Sequence, residues 1–262
     1  MIVCMNKNDK GSSDRFGYEW DKYDGITPDY EEQFLKWVRP LKSKDFSKKT
    51  VLDAGCGIGR NSYWPLRYGA KQIVAFDYDE RTVESAKKNL KEFKNAKVGF
   101  GNIYEIPYEN EFDIVFSIGV IHHLEHPEKA ISQMIKAAKR GGKVLMWVYG
   151  YESNEWVVRY INPIRKITSK LPVFMTHYLT YLFSVPLYFY VKVFPQKHKY
   201  FRQISKFKFW HVHSIIFDQL IPKIANYWKK EEVLNLFKNK GLKDINIEHV
   251  NSLSWTIMGT KE

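Results

Sequence analysis

Cysteine is scarce in this chain: Cys4 and Cys56 are the only two in 262 residues. They are too few and too badly placed for a disulfide framework, so a reducing, cytoplasmic setting is expected. Residues 1–15 are polar and hold no apolar stretch of the kind a signal peptide needs; they read as a flexible tail. Internal repeats and low-complexity tracts are also missing. Acidic residues are lacking in one place above all. From 156 to 226 the only acid is Asp218, against 11 Lys and Arg. Residues 1–150 carry 24 basic and 21 acidic side chains, residues 151–262 carry 17 and 8, and most of the net charge of +12 therefore lies in the second part. Such an asymmetry bears on partners rather than on fold.

One long apolar run exists, Leu171–Val191, 21 residues without a formal charge. That length reaches the span of a membrane helix. Pro172, Pro186, four Tyr, His177 and three hydroxyl residues interrupt it, and a pair of cap helices with an apolar face is the expectation. An in-plane helix touching a membrane surface is the competing reading.

What is present is alternation. A helix is expected from Pro28, capped by Thr27, with Tyr30, Phe34, Trp37, Val38 and Leu41 on one face. Strands follow at Thr50–Asp53, Gln72–Phe76, Lys97–Phe100, Asp113–Ile118 and Lys143–Val148. Helices stand between them, at 80–93 and 127–140, and another runs from the glycine loop towards Gly69. Pro65 is awkward there, so that helix is expected to start late, near Ser62, or to bend. The rhythm stops after residue 150 and resumes with a helix at 229–240 and strands near 244–249 and 254–259. Short β-branched runs alternating with helices mean a doubly wound α/β sheet covered on both faces. Residues 16–150 and 227–262 form this domain, with 151–226 inserted as a basic, aromatic and largely helical cap after the fifth strand.

The chemistry is concentrated in Asp53-Ala54-Gly55-Cys56-Gly57-Ile58-Gly59-Arg60. Glycine at alternate positions after a strand lets the backbone turn tightly and approach a ligand. Asp77 ends the second strand 22 residues beyond Gly55, where a carboxylate accepts hydrogen bonds from ribose hydroxyls. The third glycine comes one residue too early for a dinucleotide loop, and Asp53 would repel a pyrophosphate.

The pattern Asp-x-Gly-x-Gly-x-Gly resembles the cofactor loop of class I S-adenosylmethionine-dependent methyltransferases. The resemblance runs on through Phe76-Asp77-Tyr78-Asp79, Gly101-Asn102-Ile103, Phe112–Val115, Ile121-His122-His123-Leu124 and Gly141-Gly142. It implies a Rossmann-like seven-stranded sheet and S-adenosyl-L-methionine as cofactor. By residue, it implies that the backbone of Ala54, Gly55 and Gly57 faces the methionine moiety near Asp53, and that Asp77 holds the ribose. Tyr78 would flank the adenine, Asn102 accept from its amino group and Ile103 pack on its ring, with Ser117 and Ile118 beneath the cofactor. Trp20 and Tyr23, in the aromatic entry Phe16–Tyr23, would shield it, or pack on the sheet edge. Arg60 would meet the cofactor carboxylate or remain a solvated helix charge. An Asn-Pro-Pro-Tyr segment after the fourth strand is missing, which argues against exocyclic base nitrogens or glutamine as acceptors.

Methyl transfer is an in-line displacement, so the protein aligns a nucleophile and excludes water, with a base for a hydroxyl acceptor. Candidate bases are His122 and His123 after the fourth strand, and His211 and His213 in the insertion. Asp218 is expected to pair with a basic neighbour; facing the pocket instead, it would orient His211 or His213 as a base. No matched ligand set accompanies His122, His123 and His126, and no metal is expected. The insertion holds 16 aromatic residues among 71, interleaved with Lys and Arg. Three readings compete for it. It is a lid over an anionic or amphipathic small-molecule, lipid-linked or glycan acceptor, methylated at oxygen. Otherwise it is an RNA surface, or a membrane-docking module beside a domain that only senses S-adenosylmethionine. The first is preferred; 171–191 is the stretch for any peripheral membrane contact.

Overall fold

Each strand expected from a Val, Ile or Phe run is present in the computed structural model, which describes residues 15–16, 26, 28–197 and 199–262. Thr27 and the Gly17–Gly25 stretch, with Trp20 and Tyr23, lie outside the described residues, as do Met1–Asp14. Helix α1 (Asp29–Trp37) leads into β1 (Thr50–Ala54), α2 (Arg60–Arg67), β2 (Gln72–Asp77), α3 (Glu80–Asn89) and β3 (Ala96–Phe100). Then come β4 (Phe112–Ile118), α4 (Pro127–Ala137) and β5 (Ala138–Tyr149). The insertion contributes a π-helical turn (Val157–Ile161), α5 (Asn162–Thr168), α6 (Val173–Val193), α7 (Lys199–Ile204) and α8 (Phe209–Leu220). Helix α9 (Lys230–Phe237), β6 (Leu242–Val250) and β7 (Ser254–Lys261) complete the chain.

The strands join one seven-stranded sheet in the order β3-β2-β1-β4-β5-β7-β6. β1 to β5 run parallel, while β7 lies antiparallel between β5 and β6. Chain order reverses between β1 and β4. A crevice therefore opens beyond their carboxyl ends, where open α/β sheets bind ligands. Successive side chains point to opposite faces, and both faces are covered. Val51, Phe116 and Leu145 pack with Phe34, Val38, Phe46 and Trp64 on one side. Leu52, Val115 and Met146 pack with Ile131, Met134 and Phe237 on the other. Fully burying a side chain such as Phe116 stabilises by roughly 1.5–3 kcal/mol, which is why these strands are apolar throughout.

Several boundaries differ from the sequence expectation, the helix expected at 80–93 among them, which ends at Asn89. α2 starts at Arg60, directly after Gly59 in the left-handed region (φ 79°), and carries Pro65 inside it. The expected late start is thus wrong: Pro65 costs only the bond to the Asn61 carbonyl, one turn from the start. α4 ends at Ala137 rather than 140, because Ala138 already pairs with Phe112. The register then jumps, with Lys143 opposite Ile114, and Gly141-Gly142 lies in the looped-out stretch. A Cβ on Gly142 would stand 2.8 Å from the Lys139 carbonyl oxygen, so this detour requires glycine. α9 closes at Phe237, short of the expected 240. Finally, α6 is a single helix of 21 residues that runs through Pro186, where two helices were expected.

Arg15, expected at the end of a loose tail, is instead buried. It donates to the Leu171 carbonyl (2.8 Å), the Thr168 carbonyl (3.0 Å) and Thr176 Oγ1 (3.2 Å), which ties this point of the chain to α5 and α6.

Candidate active site

The glycine loop is shaped by two constraints at once. Gly55, Gly57 and Gly59 all have positive φ (84°, 53° and 79°), a region costly for other residues. A Cβ on Gly55 would lie 2.5 Å from Val120 Cγ2, so the backbone passes where no side chain fits. The Gly55 and Cys56 amides both donate to the Phe76 carbonyl at 2.9 Å. This stitches the loop to the end of β2.

Two carboxylates anchor it. Asp53, fully buried at the end of β1, accepts the Ser62 hydroxyl at 2.7 Å on Oδ2. Among the described residues no donor reaches its Oδ1. Burial, opposed by the Ser62 hydrogen bond and reinforced by the nearby Asp77 charge, pushes the Asp53 carboxyl up to about 7. Asp77 lines the crevice and accepts the Gly57 amide at 2.9 Å and the Asp79 amide at 3.2 Å. Burial raises it to about 6 despite those amides. Asn102 Oδ1 accepts the Tyr104 amide at 3.0 Å, which fixes the turn after β3.

Above this crevice lies a cavity of about 1360 Å³, larger than the range of roughly 300–1,000 Å³ usual for one small ligand. Gly55, Gly57, Arg60, Asp77, Tyr78, Asn102, Ile103 and Ile118 line it. Asp53, Ala54 and Ser117 do not: they lie one layer beneath, where the Ser117 hydroxyl donates to the Ala54 carbonyl at 2.7 Å. Tyr78 packs on Phe100 with ring centroids 5.4 Å apart. The Arg60 guanidinium lies over the rings of Tyr30 (4.7 Å) and Trp37 (5.6 Å) of α1, within cation–π range. It is therefore held at the cavity wall rather than free in solvent.

The four candidate histidines separate into two kinds. His123 and His211 line the cavity. His122 and His213 do not, and neither reaches an acceptor placed there. His122 is fully buried, stacked on Tyr149 at 3.8 Å, with no hydrogen bond to either ring nitrogen among the described residues. Burial drives its pKa well below the ordinary value. His213 is buried in the insertion and shares a 2.8 Å hydrogen bond with Ser184. Burial pulls His123 down to about 4, with the nearby Arg165 charge adding to this. Its Nδ1 lies 2.7 Å from the Ile224 carbonyl, which only accepts. Nδ1 therefore carries the proton and Nε2 keeps its lone pair. His211 is also lowered to about 4 by burial and then by Arg60, and stacks on Phe207 at 3.8 Å.

The far end of the cavity centres on residues the motifs did not single out. Tyr149 ends β5 and stacks on Tyr227 at 5.2 Å. Arg165, buried in α5, donates to the Gln219 carbonyl (2.7 Å), Gln219 Oε1 (3.0 Å) and the Tyr227 hydroxyl (3.2 Å). Asp218 lines the cavity beside this network, and its charge helps hold the Tyr149 phenol above its ordinary pKa, after burial. The signal for Tyr149 was positional: it ends the strand next to β4, on the binding edge of the sheet. Arg165 had no local signal. Among the described residues, no three His, Cys, Asp or Glu side chains converge as a metal site.

The reversed strand order, the glycine loop at the switch point and the acid ending β2 define a class I, S-adenosylmethionine-dependent methyltransferase fold. Residues 45–171 match the family model of a methyltransferase domain, and the chain carries a domain of that kind. The chain is similar to phosphoethanolamine N-methyltransferase 2 of Caenorhabditis elegans, 32% identical over 138 residues, covering 51% of this chain and 31% of the relative. It is also similar to the tRNA U34 carboxymethyltransferase of Actinobacillus succinogenes, 31% identical over 116 residues, covering 43% and 36%. The match thus spans about a third of each relative's length. Among solved structures, Haemonchus contortus phosphoethanolamine N-methyltransferase 2 in complex with S-adenosyl-L-methionine superposes with a TM-score of 0.55 at 17% identity, covering 99% of this chain and 60% of that one.

Proposed function

We propose that this protein transfers a methyl group from S-adenosylmethionine to an anionic or amphipathic small acceptor, lipid-linked or glycan, at oxygen. The observation that carries the reading is one continuous cavity joining two unlike ends. At one end stand the glycine loop, Asp77 and Asn102. At the other stand Tyr149 and Tyr227, braced by Arg165. The residues present fit the cofactor. The loop backbone runs along the cavity wall at a point where a Cβ on Gly55 would collide with Val120, and Asp77 and Asn102 line the same cavity with side chains that can accept hydrogen bonds.

When bound, the cofactor supplies an electrophilic methyl on a cationic sulfonium. Asp77 would take the ribose hydroxyls, Tyr78 and Ile103 would flank the adenine, and Asn102 would accept from its amino group through the carbonyl lone pair left beside Tyr104. Arg60, at the cavity wall, would meet the carboxylate of the methionine moiety. The apolar walls exclude water, and Tyr149 and Tyr227 align the acceptor. His123, neutral with a free Nε2 lone pair, is the group placed to take the acceptor proton; His211 is the second.

An anionic acceptor is supported by Arg165, a buried cation that braces the cavity-lining Tyr227 and Gln219 and has no carboxylate among its hydrogen-bond acceptors in the described residues. The C. elegans relative, named for a phosphate-bearing small molecule, is consistent with it. The test is transfer of labelled methyl from S-adenosylmethionine into cell extract, fractionated into lipid, small-molecule, RNA and protein pools. Label in the lipid or small-molecule pool is expected. Label confined to RNA would move the reading to the basic surface of the insertion, and label in protein would remove a small acceptor.

A further inference from the structure

Helix α6 is built inside out. Over its first three turns the buried stripe is small and polar: Thr176, Thr180 and Ser184, spaced by four, with His177 beside them; Val191, near the end, is the apolar side chain it buries among the described residues. Its outward stripe is Phe174, Tyr178, Leu182, Val185, Phe189 and Val193, spaced by three and four, and all six are exposed. Tyr178 and Leu182 are each 69% exposed. A helix resting on a water-soluble domain shows the reverse arrangement, apolar inward and polar outward. Small hydroxyl residues at a helix–helix contact with large apolar ones outside is how helices pack when their outer surroundings are lipid. Its hydroxyls are paired: the Thr180 hydroxyl donates to the Thr176 carbonyl at 2.8 Å, and Ser184 bonds His213 of α8. The inversion is thus built into the packing of α6 on α8.

Charge identifies the surface that faces this stripe. Lys166 and Lys170 precede α6 and Lys197 follows it, all exposed. The single acid between 156 and 226, Asp218, lines the cavity. A second copy of the chain related by two-fold symmetry would bring these basic rims together, which opposes an isologous dimer. An anionic bilayer attracts them instead. No helix among the described residues is long and apolar enough to cross a membrane, so the geometry is that of a helix lying in the interface plane.

We propose that α6 docks the protein on an anionic lipid surface, with the Phe174–Val193 stripe buried among the headgroups and upper acyl chains. Phe183 and Leu187 of the same helix line the cavity, so docking sets the cavity beside the bilayer and selects an acceptor that resides in it. The acceptor class rests on the methyl-transfer reading above; the docking does not.

Flotation of the full-length protein with phosphatidylcholine vesicles, with and without phosphatidylglycerol, tests this. The wild type is expected to float with the anionic vesicles, less so as salt is raised, and to remain behind with phosphatidylcholine alone. Leu182→Glu/Phe189→Glu should lower the bound fraction at least about tenfold, since both side chains would enter the apolar layer. Lys166→Glu/Lys170→Glu should lower it several-fold, whereas Lys238→Glu on α9's far end should leave it unchanged. Circular dichroism of each variant reports folding, and S-adenosylmethionine titration tests the cofactor reading separately. The proposal is overturned if the wild type floats with neither vesicle or if the Leu182→Glu/Phe189→Glu variant, still folded, floats as the wild type does. It is equally overturned if sedimentation shows a lipid-free dimer that this variant dissociates.

Discussion

The Gly57 amide and the Asp77 carboxylate meet at 2.9 Å, across the gap between the loop after β1 and the end of β2. Two adjacent βα units, those of β1 and β2, are thereby locked beside the point where the sheet reverses its order. Asp77 is held with its carboxylate at the cavity wall, and burial keeps its proton unusually tightly bound.

That burial has a sign. Asp53 and Asp77 are raised from 3.8 to about 7 and about 6. Between about pH 4 and 7 the folded chain keeps protons the unfolded chain has lost, so without ligand its stability falls as pH rises through this window. Ribose hydroxyls and a cationic cofactor favour the ionised carboxylates. Binding should therefore release protons and tighten from pH 5 to 7, by up to about tenfold per pH unit for each group still protonated. Calorimetry in two buffers of different ionisation enthalpy measures the proton count. Asp77→Asn should remove part of it, and a pH-independent affinity would contradict the linkage.

Gly55→Ala should abolish cofactor binding. The new Cβ meets Val120 Cγ2 at 2.5 Å, and φ of 84° disfavours any side chain. The backbone part alone is about 1–2 kcal/mol. Adding Val120→Ala should recover the steric part but not the backbone part, so the double variant should bind weakly. Full recovery would mean that the φ constraint at Gly55 carries no weight.

Arg165→Leu should slow transfer while leaving S-adenosylmethionine affinity unchanged, because it acts at the acceptor end. It should also destabilise by about 1–3 kcal/mol for each acceptor left unsatisfied. Arg165→Lys should restore part of the stability but less of the rate, since an ammonium cannot span Gln219 and Tyr227 together. Denaturant melts, cofactor titration and turnover on the same samples separate these effects.

With His123 and His211 both lowered to about 4, neither gains or loses a proton near neutrality. At saturating S-adenosylmethionine the rate should show no histidine titration between pH 6 and 8, and the histidine-dependent fall should come only towards pH 4. An inflection near 6.5 that disappears in His123→Gln would contradict this assignment.

The cofactor end was legible in the sequence because its parts are local. Asp53, the alternating glycines, Asp77 and Asn102 each sit at the end of a strand or just after it, and βα periodicity places all those ends on one edge. The acceptor end was not legible, because its contacts cross long separations. Arg165 meets Tyr227 only after the whole insertion has folded back, and Tyr149 is one aromatic among many. Residue type alone did not separate His123 from His122, which are neighbours in sequence; the short helical turn carrying them points one to the cavity and buries the other beneath Tyr149. Pro186 misled in the opposite direction. The packing of His177 and Ser184 on α8 accompanies one helix running through it, which turns an expected pair of cap helices into a single long apolar face.

The central claim is that the loop and Asp77 hold S-adenosylmethionine. Isothermal titration of the purified protein with S-adenosylmethionine and with its demethylated product tests it directly. Saturable one-to-one binding is expected, weakened at least about tenfold in a folded Asp77→Ala variant, as loss of hydrogen bonds to a charged group implies. Absence of heat and of any thermal stabilisation with either compound would contradict the account.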